Sequence, residues 1–546
     1  MRVVIGKSLF MGAVLAALSV QAVALGVSVS SPEKVVIRAG FSEPVPYSPY
    51  VLGVNPHFTR RPYDFSHQEC FRLTKESGAT FMRFPGGTMA NFINWDTGTF
   101  VDDKTVARIA PAFSGQVKDW RKDMENYHPH GETVDEFMDA QRGLGINNTS
   151  WVLNLLTGSP EQSAAWLQYC IDKEYPAEYW ELGNEYYLNP YRSHYPTVDD
   201  FIADAKRHSQ AMRAVKADVK LGVLASGFRH VKNENPEADD FWVTDNPNAQ
   251  WNIAVSKESF YDAVVIHDYL VTPQLFAHLT ETEAYTYLMS RNPVEFSKLI
   301  AYYQKLFPGK PLWLTEWNIH PIPFFTNLKN QGLSDQDRTK FIHTKTLAHG
   351  LYLADWLLHA LKYPETVEMA HLHVLAAPFY WGMFYVQQPE EKHLDDPFVQ
   401  TISFEVVKLF SEAFQSAGKL TVCEISGAPE MTGELDFGSE SFPAVIGAAF
   451  PGEQKTALIL LNKSLSDQLA EIRLNGFSGA KARLKVLTAP ELIEGWGTVK
   501  KVETKYGVDS VFNGKYEVYE KEIAPASFTL PAHSLCLIIV ESGDGQ

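Results

Sequence analysis

EYWELGNE (178–185) is a strand-length run that ends in an amide and a carboxylate. Its first six residues are short in extent and bulky in side chain, as a buried strand requires. A stretch with apolar residues at helical spacing follows at 199–217, and then a second apolar run, VKLGVLA (219–225). Strand, helix and strand in this order make one β-α unit, and the alternation continues in both directions. Upstream lie VLGVN (51–55), TFMRF (80–84) and SWVLNLL (150–156). Downstream lie DAVVIH (262–267), PLWLTEW (311–317) and MAHLHVL (369–375). Helical patterns at 133–143, 160–174, 294–306 and 335–361 separate them. The runs are nearly continuous in apolar residues, as in parallel strands covered on both faces. Eight such units predict an α/β fold, a (β/α)8 barrel over 51–416. A doubly wound open sheet is the alternative. It usually carries a glycine-rich nucleotide turn after its first strand, and VLGVNPHF (51–58) has none.

Beyond residue 417 the pattern changes. TVCEI (421–425), AVIGAAF (444–450), TALILLN (456–462), RLKVLT (483–488) and SLCLIIV (534–540) read as strands with turn residues between them. No long helical period appears, so 417–546 is expected to be an antiparallel β-sandwich. Residues 25–50 include EKVVIRAGFSEPVPYS (33–48), which is strand-like and is expected to join that sandwich. No internal repeat or low-complexity linker interrupts the chain.

Composition narrows the function classes. In 546 residues, 45 % are apolar and 21 % charged, so disorder is excluded as the main state. Sixty-five acids against 48 Lys and Arg give a formal charge of −17, which speaks against a nucleic-acid partner. Twelve Trp, 24 Tyr and 33 Phe fill a core, and some of these rings can stack on sugars. Arg2 and Lys7 precede an apolar segment at 9–20, and Ala22-Val23-Ala24 has the form of a cleavage site. Residues 1–24 are therefore expected to be a signal peptide, with the mature chain secreted or periplasmic and free of the membrane. Cys70, Cys170, Cys423 and Cys536 fit no zinc spacing. Cys423 and Cys536 both lie in strand-like runs and can pair; buried free thiols are the equal alternative.

In a barrel the active site sits at the C-terminal strand ends. Strand four ends in Trp180-Glu181-Leu182-Gly183-Asn184-Glu185, and strand seven in Leu314-Thr315-Glu316-Trp317-Asn318. Each places a Glu at the mouth. Two carboxylates facing across a cleft are the equipment of glycoside hydrolysis, one protonated to serve the leaving oxygen and one ionised to attack. No G-x-x-x-x-G-K-[ST] loop, H-E-x-x-H helix or G-x-S-x-G elbow occurs, and neither a cofactor nor a catalytic metal is implied.

WELGNE (180–185) and LTEWN (314–318) resemble the acid/base and nucleophile motifs of glycoside hydrolase clan A, whose members are retaining barrel enzymes. MRFPGGTMANFINWDTG (82–98), VVIHDYL (264–270), VEMAHLHVL (367–375) and LPAHSLCLIIV (530–540) resemble segments of family 51 α-L-arabinofuranosidases. WELGNE and the Gly-Gly-Thr segment also resemble heparanase-like family 79 enzymes. The resemblance covers most of 50–540. It implies Glu185 as general acid/base and Glu316 as nucleophile. It further implies Asn184 on the sugar 2-hydroxyl, Tyr269 holding Glu316, His267 beside it, Arg83 under the nucleophile, Asn91 near the glycone and Trp317 walling the site. The implied substrate is an oligo- or polysaccharide.

Two departures accompany the resemblance. The family 51 enzymes have a Glu shortly after strand one, where this chain has Gly53-Val54-Asn55-Pro56-His57-Phe58. Their strand eight supplies a Gln, where this chain has Val374, preceded by His371 and His373. A different sugar, within a plant or algal polysaccharide, is therefore expected. Endo-action on an acidic glycan is one alternative, and Arg108, Lys118, Arg121, Lys122, His128 and His130 make the 104–132 loop locally basic. A non-catalytic carbohydrate-binding barrel is the other, although a binding protein has no need of both glutamates.

Overall fold

The computed structural model describes residues 34–58, 63–231, 243–270, 279–320, 346–377, 381–386, 398–435, 438–475, 482–490, 492, 500–504, 507–511 and 516–541. The expected signal peptide at 1–24 and the first part of the helical pattern at 335–361 lie outside the described residues. No helix among the described residues is long and apolar enough to cross a membrane.

Eight strands close into a parallel barrel in chain order. They are β1 (Gly53–Val54), β2 (Phe81–Phe84), β3 (Thr149–Val152), β4 (Tyr179–Glu181), β5 (Lys220–Leu224), β6 (Ala263–Leu270), β7 (Leu312–Ile319) and β8 (Val367–Leu372), and β8 pairs back onto β1. The helices used below are α1 (Asp103–Ile109), α2 (Ser114–Tyr127), α3 (Val134–Leu144), α4 (Pro160–Asp172), α5 (Val198–Val215), α6 (Glu281–Leu306), α7 (Leu347–Ala360) and α8 (Ile402–Phe414). Local sequence starts several of them. Thr133 with Glu136, Ser159 with Gln162, Thr197 with Asp200 and Thr280 with Glu283 form reciprocal capping boxes. The barrel floor is filled by aromatics, and Gly222 makes room for one of them. A Cβ at Gly222 would lie 2.5 Å from the Trp313 ring, so only glycine fits there.

Two expectations are corrected here. The stretch 104–132 is mostly helix, not loop. The side chain of Asp102 caps α1, and Val117, Trp120 and Met124 bury one face of α2 at helical spacing. Its basic character is also partly cancelled, because Arg121 pairs with Asp103. The pattern at 294–306 is only the second half of α6, which runs on through Pro293 from Thr280.

Apart from two separate hairpins, Glu430–Leu435 with Gly438–Pro443 and Lys500–Thr504 with Gly507–Val511, the C-terminal strands form two sheets. One has seven strands in the order Val45–Pro46, Lys419–Val422, Val445–Pro451, Lys455–Asn462, Ser534–Glu541, Ala482–Thr488 and Glu517–Ile523. The other has four, in the order Glu424–Ser426, Val35–Ala39, Gln468–Leu474 and Phe528–Leu530. Val35, Ile37, Ala470, Ile472 and Leu530 pack against Leu458, Leu460, Leu484 and Ile538 between the sheets. The opposite face of the seven-stranded sheet, with Phe450, Ile459, Leu461 and Leu537, belongs to the barrel's own core. Its central strands are therefore apolar on both sides, which is why AVIGAAF and TALILLN show no alternation. The sheets are not wholly antiparallel: Val35–Ala39 runs parallel to Gln468–Leu474. TVCEI is two strands in different sheets, split at Cys423. All four cysteines are buried free thiols.

One buried ion pair ties the sheets to the barrel. Lys463 Nζ lies 3.1 Å from Asp355 Oδ1 on α7, and both side chains are fully buried. Removing one partner from such a pair costs about 3–5 kcal/mol, because the other charge stays buried. Lys463→Met should lose about that much stability in denaturant unfolding, and the further change Asp355→Leu should recover most of it. An unchanged midpoint in the single variant would show that the pair contributes nothing.

Candidate active site

The site is assembled from the ends of β1, β2, β4, β6, β7 and β8. Arg83 on β2 is its hub and is fully buried. A guanidinium has five N–H donors in one plane, and here each has an acceptor. Nε and one hydrogen of Nη2 grip Glu181 at 2.8–3.1 Å. Nη2 also reaches Asn184 Oδ1 at 2.9 Å. Nη1 meets Glu316 Oε1 at 2.6 Å and Asn55 Oδ1 at 3.4 Å. Two glycines close the turn after β2. Gly87 has φ +61°, and a Cβ there would sit 2.6 Å from His57 Nε2.

Glu185 stands one turn past β4. Its own φ is +55°, in the left-handed region that a residue with a Cβ rarely adopts. Such strain persists only where neighbours over-determine it, and here they do. Asn91 holds the preceding residue by both backbone groups, donating from Nδ2 to Asn184 O at 2.8 Å and accepting from Asn184 N at 3.1 Å. The Glu185 carboxylate accepts from Tyr187 at 3.3 Å and meets His267 Nδ1 at 2.8 Å.

On β6, His267 and Tyr269 face the site while Asp268 between them bonds Trp356 of α7, the ordinary alternation of a strand. On β7 the alternation is broken. Val265 pairs with Trp313 but His267 pairs with Glu316, and Leu314 pairs with Ala370 but Trp317 with Leu372. Both neighbours thus show one extra residue on β7, a bulge. It lets two successive side chains point into the site. Thr315 bonds Glu181 at 3.1 Å, and Glu316 receives Arg83 on one oxygen and Tyr269 on the other at 2.6 Å. His373, past β8, brings Nδ1 to 3.7 Å from Glu316 Oε2.

Burial alone would raise the pKa of Glu316. The imidazoles of His267 and His373, the Arg83 charge and the Tyr269 hydroxyl outweigh it and hold the carboxyl well below the usual carboxylate range. Burial would lower His267, but Glu316 and Glu185 reverse the sign and raise it. His373 goes the other way: burial takes it down to about 4 against the pull of Glu316. Burial raises Tyr269, and the Glu316 charge adds to that.

The structure brings together Arg83, Asn184, Glu185, His267, Tyr269 and Glu316. Two expected contacts are corrected. Trp317 does not wall the site. After the bulge it faces outward and stacks on Trp356, with ring centroids 4.0 Å apart and planes within 6°. Asn91 cannot approach a sugar, because its amide is spent on Asn184 and Tyr191 and it is fully buried. His371 lies in the barrel core, stacked on Phe81 at 4.9 Å. Glu181, Asn55 and Thr315 are the site residues that sequence reading missed. Glu181 carried a signal: a carboxylate within a buried strand needs a cationic partner, and Arg83 on β2 is one.

The fold is a (β/α)8 barrel bearing a two-sheet β unit, and solved structures match it along nearly the whole chain. The alpha-L-arabinofuranosidase of Thermotoga maritima, in its arabinose complex, is 18% identical, with 93% of this chain and 99% of that one covered and a TM-score of 0.62. A family 51 alpha-L-arabinofuranosidase from Bifidobacterium longum is 16% identical, with 94% and 100% covered and a TM-score of 0.63. The family 44 endoglucanase of Clostridium thermocellum is 13% identical, with 93% and 99% covered and a TM-score of 0.52. These likenesses establish the fold, and family 51 is the family that the segments at 82–98 and 264–270 resemble. No family model matches the chain. In sequence, 170 residues are 25% identical to a probable alpha-L-arabinofuranosidase C of Aspergillus fumigatus, covering 28% of this chain and 31% of that protein. The match thus spans under a third of the curated relative's length.

Proposed function

We propose that the chain is a retaining glycoside hydrolase acting on a plant or algal polysaccharide, with Glu316 as nucleophile and Glu185 as acid/base. One observation carries the reading. Glu316 is held ionised by donors on both oxygens, and a Glu185 oxygen lies within 4.8 Å of it. That separation leaves no room for a water between the carboxylates, as inversion requires. Glu316 attacks the anomeric carbon while Glu185 gives its proton to the departing oxygen. Glu185 then takes a proton from water, whose oxygen displaces Glu316. Asn184 Nδ2, which has no partner among the described residues, is placed to donate to the adjacent hydroxyl. The fold shared with arabinofuranosidases makes arabinofuranosides the first substrates to try. Turnover of aryl glycosides, with the first-formed anomer read by NMR, tests the reading. Retention supports it, whereas glycan binding without turnover across a broad panel would favour a binding protein.

A second reading, endo-action on an acidic or algal glycan, is favoured by the pocket floor. Asn55 at the end of β1 is spent on Arg83 and Thr315, and His373 stands beside Glu316 past β8, so neither the carboxylate nor the amide of the arabinofuranosidase set is present. The segment 1–24 supports export as part of the proposal.

Tyr269→Phe deletes one hydrogen bond to a charged group, about 1.5–3 kcal/mol. kcat should fall by roughly 10- to 100-fold. Tyr269 helps depress Glu316, so its loss raises that carboxyl, and the acid limb of kcat/KM should move to higher pH. A limb that stays in place would remove Tyr269 from the control of Glu316.

A further inference from the structure

We propose that Glu185, His267 and Glu316 form an inhibitory binding site for a divalent ion of the zinc class. The three residues each offer one ligand atom, and these atoms all lie within 4.8 Å of one another. His267 Nδ1 is 2.8 Å from Glu185 Oε1 and 3.6 Å from Glu316 Oε2. Ligand atoms on a tetrahedron with bonds of ~2.0 Å stand about 3.3 Å apart, so the side chains need only small adjustments to receive such an ion. Imidazole with carboxylate suits zinc or copper rather than magnesium, which prefers oxygen alone.

A second observation points the same way. His373 Nδ1 is buried, lies 3.7 Å from the same Glu316 oxygen and has no hydrogen-bond partner among the described residues. It is an imidazole nitrogen with a lone pair to offer on the Glu316 side of the cluster. The charges also balance. Arg83 is gripped by Glu181 through paired hydrogen bonds, so those two cancel. Glu316 with Glu185, once the ion has displaced the protons of Glu185 and His267, then offers two carboxylate charges to a doubly positive ion. The Arg83 contact is to Glu316 Oε1, and Oε2, which also accepts from Tyr269 at 2.6 Å, faces the imidazoles. An ion there takes both carboxylates out of use, so it and a glycoside exclude each other.

The binding half of this inference stands apart from the proposed activity; the inhibition half rests on it. The test titrates metal-stripped full-length protein with Zn2+ alone by calorimetry, and with Co2+ by its visible ligand-field absorption. One site is expected, with Mg2+ inert. Glu185→Gln and His267→Gln should each weaken it by about tenfold or more. Glu185 is at the mouth with 19% of its side chain exposed, so its variant is expected to fold, and circular dichroism checks this. No zinc binding, or binding that both variants retain in full, would overturn the proposal. On any glycoside the wild type turns over, Zn2+ should compete with substrate and a chelator should relieve it; inhibition that is not competitive would also overturn it. Zinc bound at this site in a protein that turns over no glycoside would leave the ion site standing and defeat the hydrolase reading.

Discussion

Glu316→Ala should lose turnover of every glycoside, on the order of a million-fold, the scale on which removal of a covalent nucleophile is felt. No covalent intermediate can form without that carboxylate. Azide, filling the vacated space, should restore activity with inverted stereochemistry. Glu185→Ala should behave differently. A substrate with a good leaving group needs little protonation, so the glycosyl-enzyme still forms while its hydrolysis slows. Azide should rescue this variant with retained stereochemistry. NMR of the glycosyl azides decides between the roles, and opposite outcomes would exchange them. Near-full activity in either variant would exclude that glutamate from catalysis.

The second large effect is expected at Glu181. It touches neither carboxylate of the pair, yet it holds one edge of Arg83, whose other edge holds Glu316 and Asn184. Glu181→Gln keeps the shape but sets an amide N–H against guanidinium N–H groups. The buried Arg83 charge loses one of its two carboxylate partners and keeps only Glu316, at a cost of up to about 3–5 kcal/mol. Denaturant unfolding should register that loss. Among the molecules that remain folded, kcat should fall by roughly tenfold or more, since about 1.4 kcal/mol of misplacement suffices. Unchanged kcat with reduced stability would confine Glu181 to a structural part.

The barrel was legible because its strands announce themselves. Eight apolar runs separated by helical periods admit few other arrangements, and the runs carrying Arg83, Glu185, His267 and Glu316 end where a barrel has its mouth. What escaped depends on facts that strand alternation cannot supply. Trp317 follows Glu316 directly, and whether it faces sugar or helix turns on a one-residue bulge set by pairing with β6 and β8. Asn91 follows the Gly-Gly turn past β2, where the family resemblance implies substrate contact, but reciprocal bonds to the Asn184 backbone consume its amide. α1 and α2 are hard to see in the sequence because their many charges mask a narrow apolar stripe at Val117, Trp120 and Met124. The parallel pairing of Val35–Ala39 with Gln468–Leu474 brings together segments that no local pattern relates.

That strand also bears on the order in which the molecule can be completed. Val36 sits between Ser426 and Glu471, so both of its partner strands are made several hundred residues after it. Contacts that distant are slow to form, because a long loop must close first. Most of the barrel's strands pair with a neighbour in sequence, and only the closing pair of β8 with β1 spans a comparable loop. The docking of Val35–Ala39 onto Gln468–Leu474 is thus expected to be a late step of assembly. A nascent chain holds Val35–Ala39 as an open edge, with its backbone groups exposed to other chains, until Gln468–Leu474 arrives to cover it.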